Sequence, residues 1–217
     1  MENGVRILGI DPGSRLMGFG LIEWNGRTPI CIEAGTLKFN TETDALTRLG
    51  EIQRSIHALI ERLDPQELAA EAPFQGKSVQ SMLKLGRVQG VVIATAMARG
   101  IACAEYPPAR VKQSLTGRGR AGKEQVAAMV RQLLSPGVRA EERPEWGPDA
   151  TDALAVALCH GFGLGTKPGL VPESTSVRPI PTSGGKKSSW SAFLKENPNR
   201  VHPSETEIRN STRTQRD

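Results

Sequence analysis

The stretch that decides the fold runs from Ile7 to Ser14 and has the sequence ILGIDPGS. It overlaps a short apolar run, Val5–Asp11, which is typical of a buried β-strand that ends where a Pro-Gly turn begins. Asp11 is therefore the last residue of a predicted strand. Two interpretations of this residue stay open from the stretch alone. It opens an Asp-Pro-Gly turn, or it places a carboxylate at the edge of a sheet where a ligand can reach it.

The segments that follow predict further strands and then alternating helices and strands. Met17–Trp24 and Ile30–Leu37 are separated by an Asn-Gly turn and Pro29, and with the first strand they predict an antiparallel meander. Apolar spacing then predicts helix Ala45–Leu63, strand Glu67–Glu71, helix Lys77–Arg99, strand Ile101–Tyr106, and helices Ala109–Leu115, Lys123–Leu134 and Asp149–Phe162. This order predicts an α/β fold in which helices flank a mixed five-stranded sheet.

Composition is that of a folded protein that does not enter a membrane. The 217 residues are 38% hydrophobic, and no apolar run approaches the roughly 18 residues of a membrane span. The first apolar run is too short for a signal peptide. Three cysteines, Cys31, Cys103 and Cys159, lie far apart without metal-ligand or redox-pair spacing, so we expect buried thiols and a cytoplasmic location.

The character of the chain changes after residue 166. Residues 167–217 contain 6 prolines and 13 serines and threonines, with almost no aliphatic periodicity. Such a segment cannot bury enough apolar surface to offset the entropy of ordering it. The sequence therefore predicts a folded domain over residues 1–166 and a disordered basic tail over residues 167–217.

Charge is strongly segregated along the chain. Residues 75–140 carry 11 lysines and arginines against 2 acids, whereas residues 1–74 carry 7 against 11 and residues 141–166 carry 1 against 5. A basic block between two acidic ones suits a protein that holds a polyanion with lysine and arginine while it keeps a group of carboxylates elsewhere. The alternative is a solvated basic face without a partner.

Three further acids occur where elements begin or end. Glu71 ends an apolar strand, as Asp11 does, and the small residues before it indicate a central strand. Asp149 and Asp152 are three residues apart at a helix start, so their side chains share a face. Helix capping explains this pair equally well when it is taken alone.

Convergence of these four acids would require a cation. At about 5 Å and an effective dielectric near 20, each pair of carboxylates repels by roughly 3 kcal/mol. Oxygen-only ligands favour a hard ion such as Mg²⁺ or Mn²⁺. Two such ions, about 4 Å apart, would stabilise the attacking and the leaving oxygen of a phosphodiester displacement.

Together these motifs resemble the RuvC family of bacterial crossover junction endodeoxyribonucleases, over about residues 5–162 in order and with near-family spacing. The shared motifs are ILGIDPGSR with Gly18 and Gly20, Glu71 with Phe74, LKLGR at 83–87 with Gly90, VKQ at 111–113 with Gly117 and Lys123, and DATDALA at 149–155. The resemblance implies a ribonuclease H-like fold and a homodimer that makes paired symmetric nicks in a four-way DNA (Holliday) junction during recombination and repair. It also implies Mg²⁺ dependence, with two ions per subunit and Mn²⁺ as a substitute, and a branch-migration partner, the RuvA and RuvB complex.

The resemblance also assigns residues. Asp11, Glu71, Asp149 and Asp152 fall on the family's metal-binding acids, Phe74 falls on an aromatic that meets a base near the crossover, and Lys112 and Lys123 fall on basic positions near the scissile phosphate. Local reasoning adds Lys84, Arg87, Arg118 and Arg120 as phosphate contacts, each of which could equally be a solvated surface charge. Gly86, Gly90 and Ala94 give their helix a small-residue face, which suits dimerisation or packing within the monomer.

The sequence departs from the family pattern at two places, and three other functions would explain part of its motifs. Arg139–Gly147 looks longer than the usual link before the last acidic pair, and the tail extends past the family core. An RNA-processing nuclease would use the same acids, although the KLG and VKQ motifs favour the junction enzyme. An actin-like ATPase or sugar kinase shares the GIDPG motif but needs a second glycine-rich phosphate loop. A junction-binding protein without activity would not need all four acids.

Overall fold

Helices and strands follow one another in the predicted order in a computed structural model, which describes residues 4–73, 78–135, 137, 139 and 144–164. The elements are β1 (Val5–Asp11), β2 (Leu16–Trp24), β3 (Ile30–Lys38), α1 (Ala45–Leu63), β4 (Glu67–Glu71), α2 (Val79–Ala98), β5 (Ala102–Tyr106), α3 (Pro108–Thr116), α4 (Lys123–Leu134) and α5 (Pro148–Leu164). The predicted disordered tail, the boundary at residue 166 and part of the Arg139–Gly147 link lie outside the described residues.

The five strands form one mixed sheet in the order β3-β2-β1-β4-β5, which confirms the predicted fold class. β1, β2 and β3 pair antiparallel, as the meander requires. β1 and β4 pair parallel, with Ile10 opposite Ala70, and β5 extends the parallel half on the other side of β4. Because neighbouring parallel strands end at the same edge of a sheet, Asp11 and Glu71 are the last residues of adjacent strands at that edge.

Helices cover both faces of the sheet, so each face has its own apolar core. α1 and α2 pack on one face around Ile52, Ile56 and Val92, and α3, α4 and α5 pack on the other around Val130 and Leu154. Leu46, in the first turn of α1, is 73% exposed, and burial along the helix begins only at its second turn.

Helix α5 lies directly on β1 and β2 because glycines leave room for its backbone. A Cβ atom on Gly9 would lie 2.1 Å from the carbonyl oxygen of Ala153, and one on Gly18 would lie 1.9 Å from that of Asp149. Real Cβ atoms essentially never come this close to a backbone oxygen. Gly18 is also the register partner of Asp11. The glycines therefore seat the first turn of α5 beside the end of β1.

A buried polar chain fixes the other half of α5. The Tyr106 hydroxyl lies 2.8 Å from Nδ1 of His160, and Nε2 of His160 contacts the Glu67 carboxylate. Tyr106 and His160 are both buried, and they join α5 to β5 and, through Glu67, to β4. Since both ends of α5 are tied to the sheet, its acidic residues have a defined place.

Two of the three cysteines are buried as predicted, and the third, Cys31, is partly exposed. Burial raises the pKa of the Cys31 and Cys103 thiols to about 11, so both stay protonated at neutral pH.

None of the helices within the described ranges is both long enough and apolar enough to cross a membrane.

Candidate active site

The fold places the four predicted acids within electrostatic reach of one another. Asp11 ends β1, Glu71 ends β4, and Asp149 and Asp152 occupy the first two turns of α5. The charges of Glu71, Asp152 and Asp149 all raise the pKa of Asp11. The name acid cluster is used below for these four residues.

Asp11 is the acid of this cluster whose pKa is raised most strongly. Burial, followed by the neighbouring carboxylates, raises its pKa to about 7, and Lys123 only partly opposes them. Burial and Asp152 also raise the pKa of Glu71, while a hydrogen bond from Asp11 and the charges of Lys123 and Lys112 lower it. In the absence of a cation, Asp11 is therefore only partly ionised near neutral pH, where an ordinary aspartate is fully charged.

Capping does not account for the acids on α5. The helix begins at Pro148, so Asp149 is its second residue and Asp152 lies a turn further on. Neither carboxylate accepts a hydrogen bond from a backbone N–H group within the part of the chain that the structure describes. Asp152 instead pairs with Lys123, whose Nζ lies 3.3 Å from its Oδ2. Neither residue thus caps α5 through a hydrogen bond, although Asp149 lies in the first turn, where a carboxylate complements the helix dipole.

The acid cluster suits a hard divalent cation by the chemistry of its donors. Its ligands are carboxylate oxygens alone, which Mg²⁺ and Mn²⁺ prefer, and the repulsion at Asp11 is of the kind that a bound cation relieves. Among residues 4–73, 78–135 and 144–164, no three acids, histidines or cysteines are close enough to enclose one ion as they stand. The side chains of the acid cluster would therefore have to move closer together to bind an ion.

Lysines and an arginine share a cleft with two of the acids. A cavity of about 420 Å³ is lined by Glu71 and Asp152 together with Lys112, Arg120 and Lys123. The Lys123 side chain is 81% exposed, and Asp152 raises its pKa, so it stays charged at neutral pH. This cleft can hold a phosphate group against the acids.

The remaining predicted contacts do not lie in this cleft. Arg118 is exposed and does not line it, while Lys84 and Arg87 line a different cavity beside α1 and α2. Phe74 lies outside the described residues. Their assignment as DNA contacts therefore stays a prediction.

Three residues near the acid cluster were not among the site residues predicted from the sequence. Gln89 is buried, and its amide donates to the Glu105 carboxylate and, at 3.5 Å, to the backbone oxygen of Glu71. Arg15 and Arg48 join Lys84 and Arg87 around the second cavity. Arg15 follows directly on the ILGIDPGS stretch, so its position was a usable signal, whereas nothing local distinguishes Gln89.

Asp11→Asn is expected to stabilise the protein when metal is removed with a chelator. The Asp11 pKa is higher in the folded protein, about 7, than its ordinary value of 3.8, so folding is penalised as pH rises through that interval. At pH 8 the variant should gain on the order of 4 kcal/mol in free energy of unfolding, and at pH 5 less than half of that. Urea unfolding at both pH values measures it. An equal gain at the two values would contradict the assignment.

The strand order, the helices on both faces and the acids at the ends of β1 and β4 define a nuclease fold of the ribonuclease H-like class. A family model described as "Crossover junction endodeoxyribonuclease RuvC" matches residues 7–160. The chain belongs to the RuvC family, whose members are metal-dependent endonucleases.

Individual relatives agree with this assignment. The crossover junction endodeoxyribonuclease RuvC of Cytophaga hutchinsonii is 45% identical over 195 residues, which cover 90% of this chain and 87% of the relative. The structure of Thermus thermophilus RuvC is 32% identical with a TM-score of 0.65, over 74% of this chain and 95% of that one. T. thermophilus RuvC in complex with a Holliday junction substrate is 30% identical with a TM-score of 0.64, over the same shares of both chains. The predicted family and fold are thereby confirmed.

Proposed function

We propose that this protein resolves four-way DNA (Holliday) junctions by paired symmetric nicks, in homologous recombination and DNA repair. The observation that carries the proposal is the cleft in which Glu71 and Asp152 face Lys112, Arg120 and Lys123, in a chain of the RuvC family. Carboxylates suit a hard cation, and the basic groups suit the substrate phosphate.

The acid cluster is proposed to hold Mg²⁺, two ions per subunit, with Mn²⁺ as a substitute. When bound, such ions supply Lewis-acid stabilisation of the attacking water and of the leaving 3′ oxygen. The protein contributes the fixed ends of β1 and β4 and the seated first turns of α5. Asp11 is partly buried, which strengthens the charge interactions near it.

The cations divide into two proposed roles. Lys112 and Lys123 are proposed to hold the scissile phosphate, and their position in the cleft with Glu71 and Asp152 supports this. Lys123 stays charged through its pairing with Asp152. The remaining proposed DNA contacts are Phe74, Lys84, Arg87, Arg118 and Arg120. Phosphate contacts of this kind supply affinity through counterion release, and so the affinity should fall steeply with salt.

Homodimerisation is proposed through the open face of α2. A Cβ atom on Gly86 or on Gly90 would meet no atom within 4 Å, and Ala94 on the same face is exposed. Val79 and Leu83 nearby are 68% and 62% exposed. Two copies would supply two acid clusters for two symmetric strands. The RuvA and RuvB complex as a partner and a cytoplasmic location complete the proposal.

The nuclease domain is proposed to be residues 1–166, with residues 167–217 as a basic tail that takes no part in the chemistry. A chain that ends at residue 166 should cut the junction at a rate within about threefold of the full chain, because every element around the acid cluster lies before that point. A gel-based cleavage assay at saturating protein measures this. A folded but inactive truncation would assign the tail a role in the reaction.

Cleavage of matched substrates tests the proposed function directly. End-labelled four-way junction, linear duplex of the same sequence and an RNA–DNA hybrid are incubated with Mg²⁺ and the full chain. Paired nicks at symmetric positions in the junction, with both other substrates intact, are expected. Cleavage of the hybrid while the junction stays intact would indicate a function in RNA processing. If all three substrates stay intact while the junction is bound tightly, the protein is a junction-binding protein without nuclease activity.

A further inference from the structure

A second cation-lined cavity lies on the side of the acid cluster that faces α1 and α2. It has a volume of about 290 Å³ and is bounded by the turn between β1 and β2, the first turns of α1, and α2. Its lining is Ser14, Arg15, Ala45, Arg48, Leu49, Ile52, Lys84, Arg87 and Val88. Among the described residues of this lining, four are cations and none is an acid.

The cavity and the surroundings of the acid cluster are formed by neighbouring residues of the same elements, β1 with its turn and α2. Ser14 and Arg15 follow Asp11 in the turn that leaves β1. Helix α2 serves both places, because Leu85 and Gln89 line a small cavity of about 80 Å³ that includes Asp11 and Glu71, while Lys84 and Arg87 face the second cavity. The acid cluster therefore lies between two basic cavities, this one and the cleft of Lys112, Arg120 and Lys123.

Hydrogen bonds hold the rim of this cavity in place. The Arg48 guanidinium donates to the backbone oxygens of Asn40, Thr41 and Thr43 at 2.7, 2.9 and 2.6 Å. The backbone oxygen of Arg15 accepts from the Phe39 N–H group at 2.9 Å, and Phe39 itself is buried. The loop before α1 is thus tied to the turn after β1, and Arg48 has a bracing role.

The other three cations have no carboxylate to neutralise them. Within the described ranges, no acid lies within 4.0 Å of the charged group of Arg15, Lys84 or Arg87. The nearby acid on α1, Asp44, is occupied by the helix start, where it accepts from the N–H groups of Leu46 and Thr47. Unpaired cations around a concave surface with an apolar floor suit a phosphodiester and its sugar.

We infer that Arg15, Lys84 and Arg87 form a second phosphate site, which binds the DNA backbone of a junction arm beside the strand that is cut. The inference rests on the proposed function and extends it. DNA backbone at this site would lie across the β1–β2 turn from the scissile phosphate. A junction arm that is bound by phosphate sites on both sides of the acid cluster has a fixed orientation relative to the cluster. This orientation positions the scissile bond.

The salt dependence of binding tests the site. Junction affinity is measured in chelator between 50 and 200 mM salt for the wild type, for Arg15→Gln/Arg87→Gln and for Arg27→Gln. Arg27 is an exposed arginine in the turn between β2 and β3, at the opposite edge of the sheet, and is the matched control. The double variant should lower the slope of log affinity against log salt by about 2, and the control should leave it unchanged.

Replacement of single DNA phosphates by uncharged groups shows which phosphates the second site contacts. Methylphosphonates are placed one at a time along one arm and around the cleavage position, and affinity is measured again. Positions on the arm that weaken wild-type binding should have no further effect on the double variant, whereas positions at the cleavage point should weaken both. Equal effects on both proteins at every position would overturn the second site. If neutral phosphates on the arm weaken neither protein while free inorganic phosphate competes with the junction, the cavity binds small anions and the inference is also wrong.

Failure of the inference differs from failure of the proposed function. Wild-type protein that neither binds nor cuts the junction refutes the proposed function. Wild-type protein that cuts the junction, beside a double variant with an unchanged salt slope, refutes only the second phosphate site. Arg48 is left intact throughout, because its substitution would release the loop that it holds.

Discussion

Asp11→Asn should reduce junction cleavage by about a thousandfold or more while junction affinity stays within about twofold of the wild type. A cation held by the acid cluster would stabilise the transition state by several kcal/mol, and each 1.36 kcal/mol corresponds to a tenfold change in rate. Asn keeps the size of Asp11 but lacks its charge. The lysines and arginines that are proposed to hold DNA are untouched, so binding should persist.

Cleavage and binding by Asp11→Asn are measured separately. Single-turnover cleavage is followed with Mg²⁺ at saturating protein, and binding is measured in chelator so that no substrate is consumed. Asp64→Asn is the matched control, because Asp64 follows α1 at the opposite edge of the sheet and its side chain is 90% exposed. Parallel loss of binding and cleavage in Asp11→Asn would show that the acid cluster also holds the DNA.

The local pattern of the chain predicted nearly the whole order of elements. β1, α1, β4 and α4 begin and end at the predicted residues, and the other elements differ by at most a few residues. The element order is predictable because each helix or strand buries one face, so that apolar residues recur in the sequence with the period of that element. The acids at the ends of β1 and β4 were predictable for the same reason, since a strand end followed by a turn is a local signal.

Contacts between distant segments were not predictable in this way. Glu67 and His160 are 93 residues apart and Tyr106 and His160 are 54 apart, and neither pair has a spacing that marks it. Whether Asp149 caps its helix or joins the acids likewise depended on where α5 lies. That placement is decided by a backbone approach to Gly18, which no periodicity reports.

Gly18→Ala should cost cleavage about a hundredfold and lower the free energy of unfolding by about 2 kcal/mol or more. The added Cβ would lie 1.9 Å from the Asp149 backbone oxygen and 2.4 Å from its carbonyl carbon, so the first turn of α5 has to move. Overpacking a tight contact costs typically 1–3 kcal/mol, and a misplacement of about 1 Å at a reacting centre can cost a hundredfold in rate. Asp149 and Asp152 would shift together, away from Asp11 and Glu71.

Gly50→Ala is the matched control for this change. Gly50 lies inside α1, where a Cβ would meet only the end of the Arg54 side chain at 3.5 Å. That variant should be more stable by about 0.5–1 kcal/mol and fully active, because alanine favours a helix over glycine. Cleavage is measured well below the melting temperature of each variant, so that a loss in Gly18→Ala reports geometry rather than unfolding. A destabilised but fully active Gly18→Ala protein would show that the cluster tolerates movement of α5. In that case the acids on α5 would have to reach the ion by adjusting their side chains, and the close seating of the helix would serve stability alone.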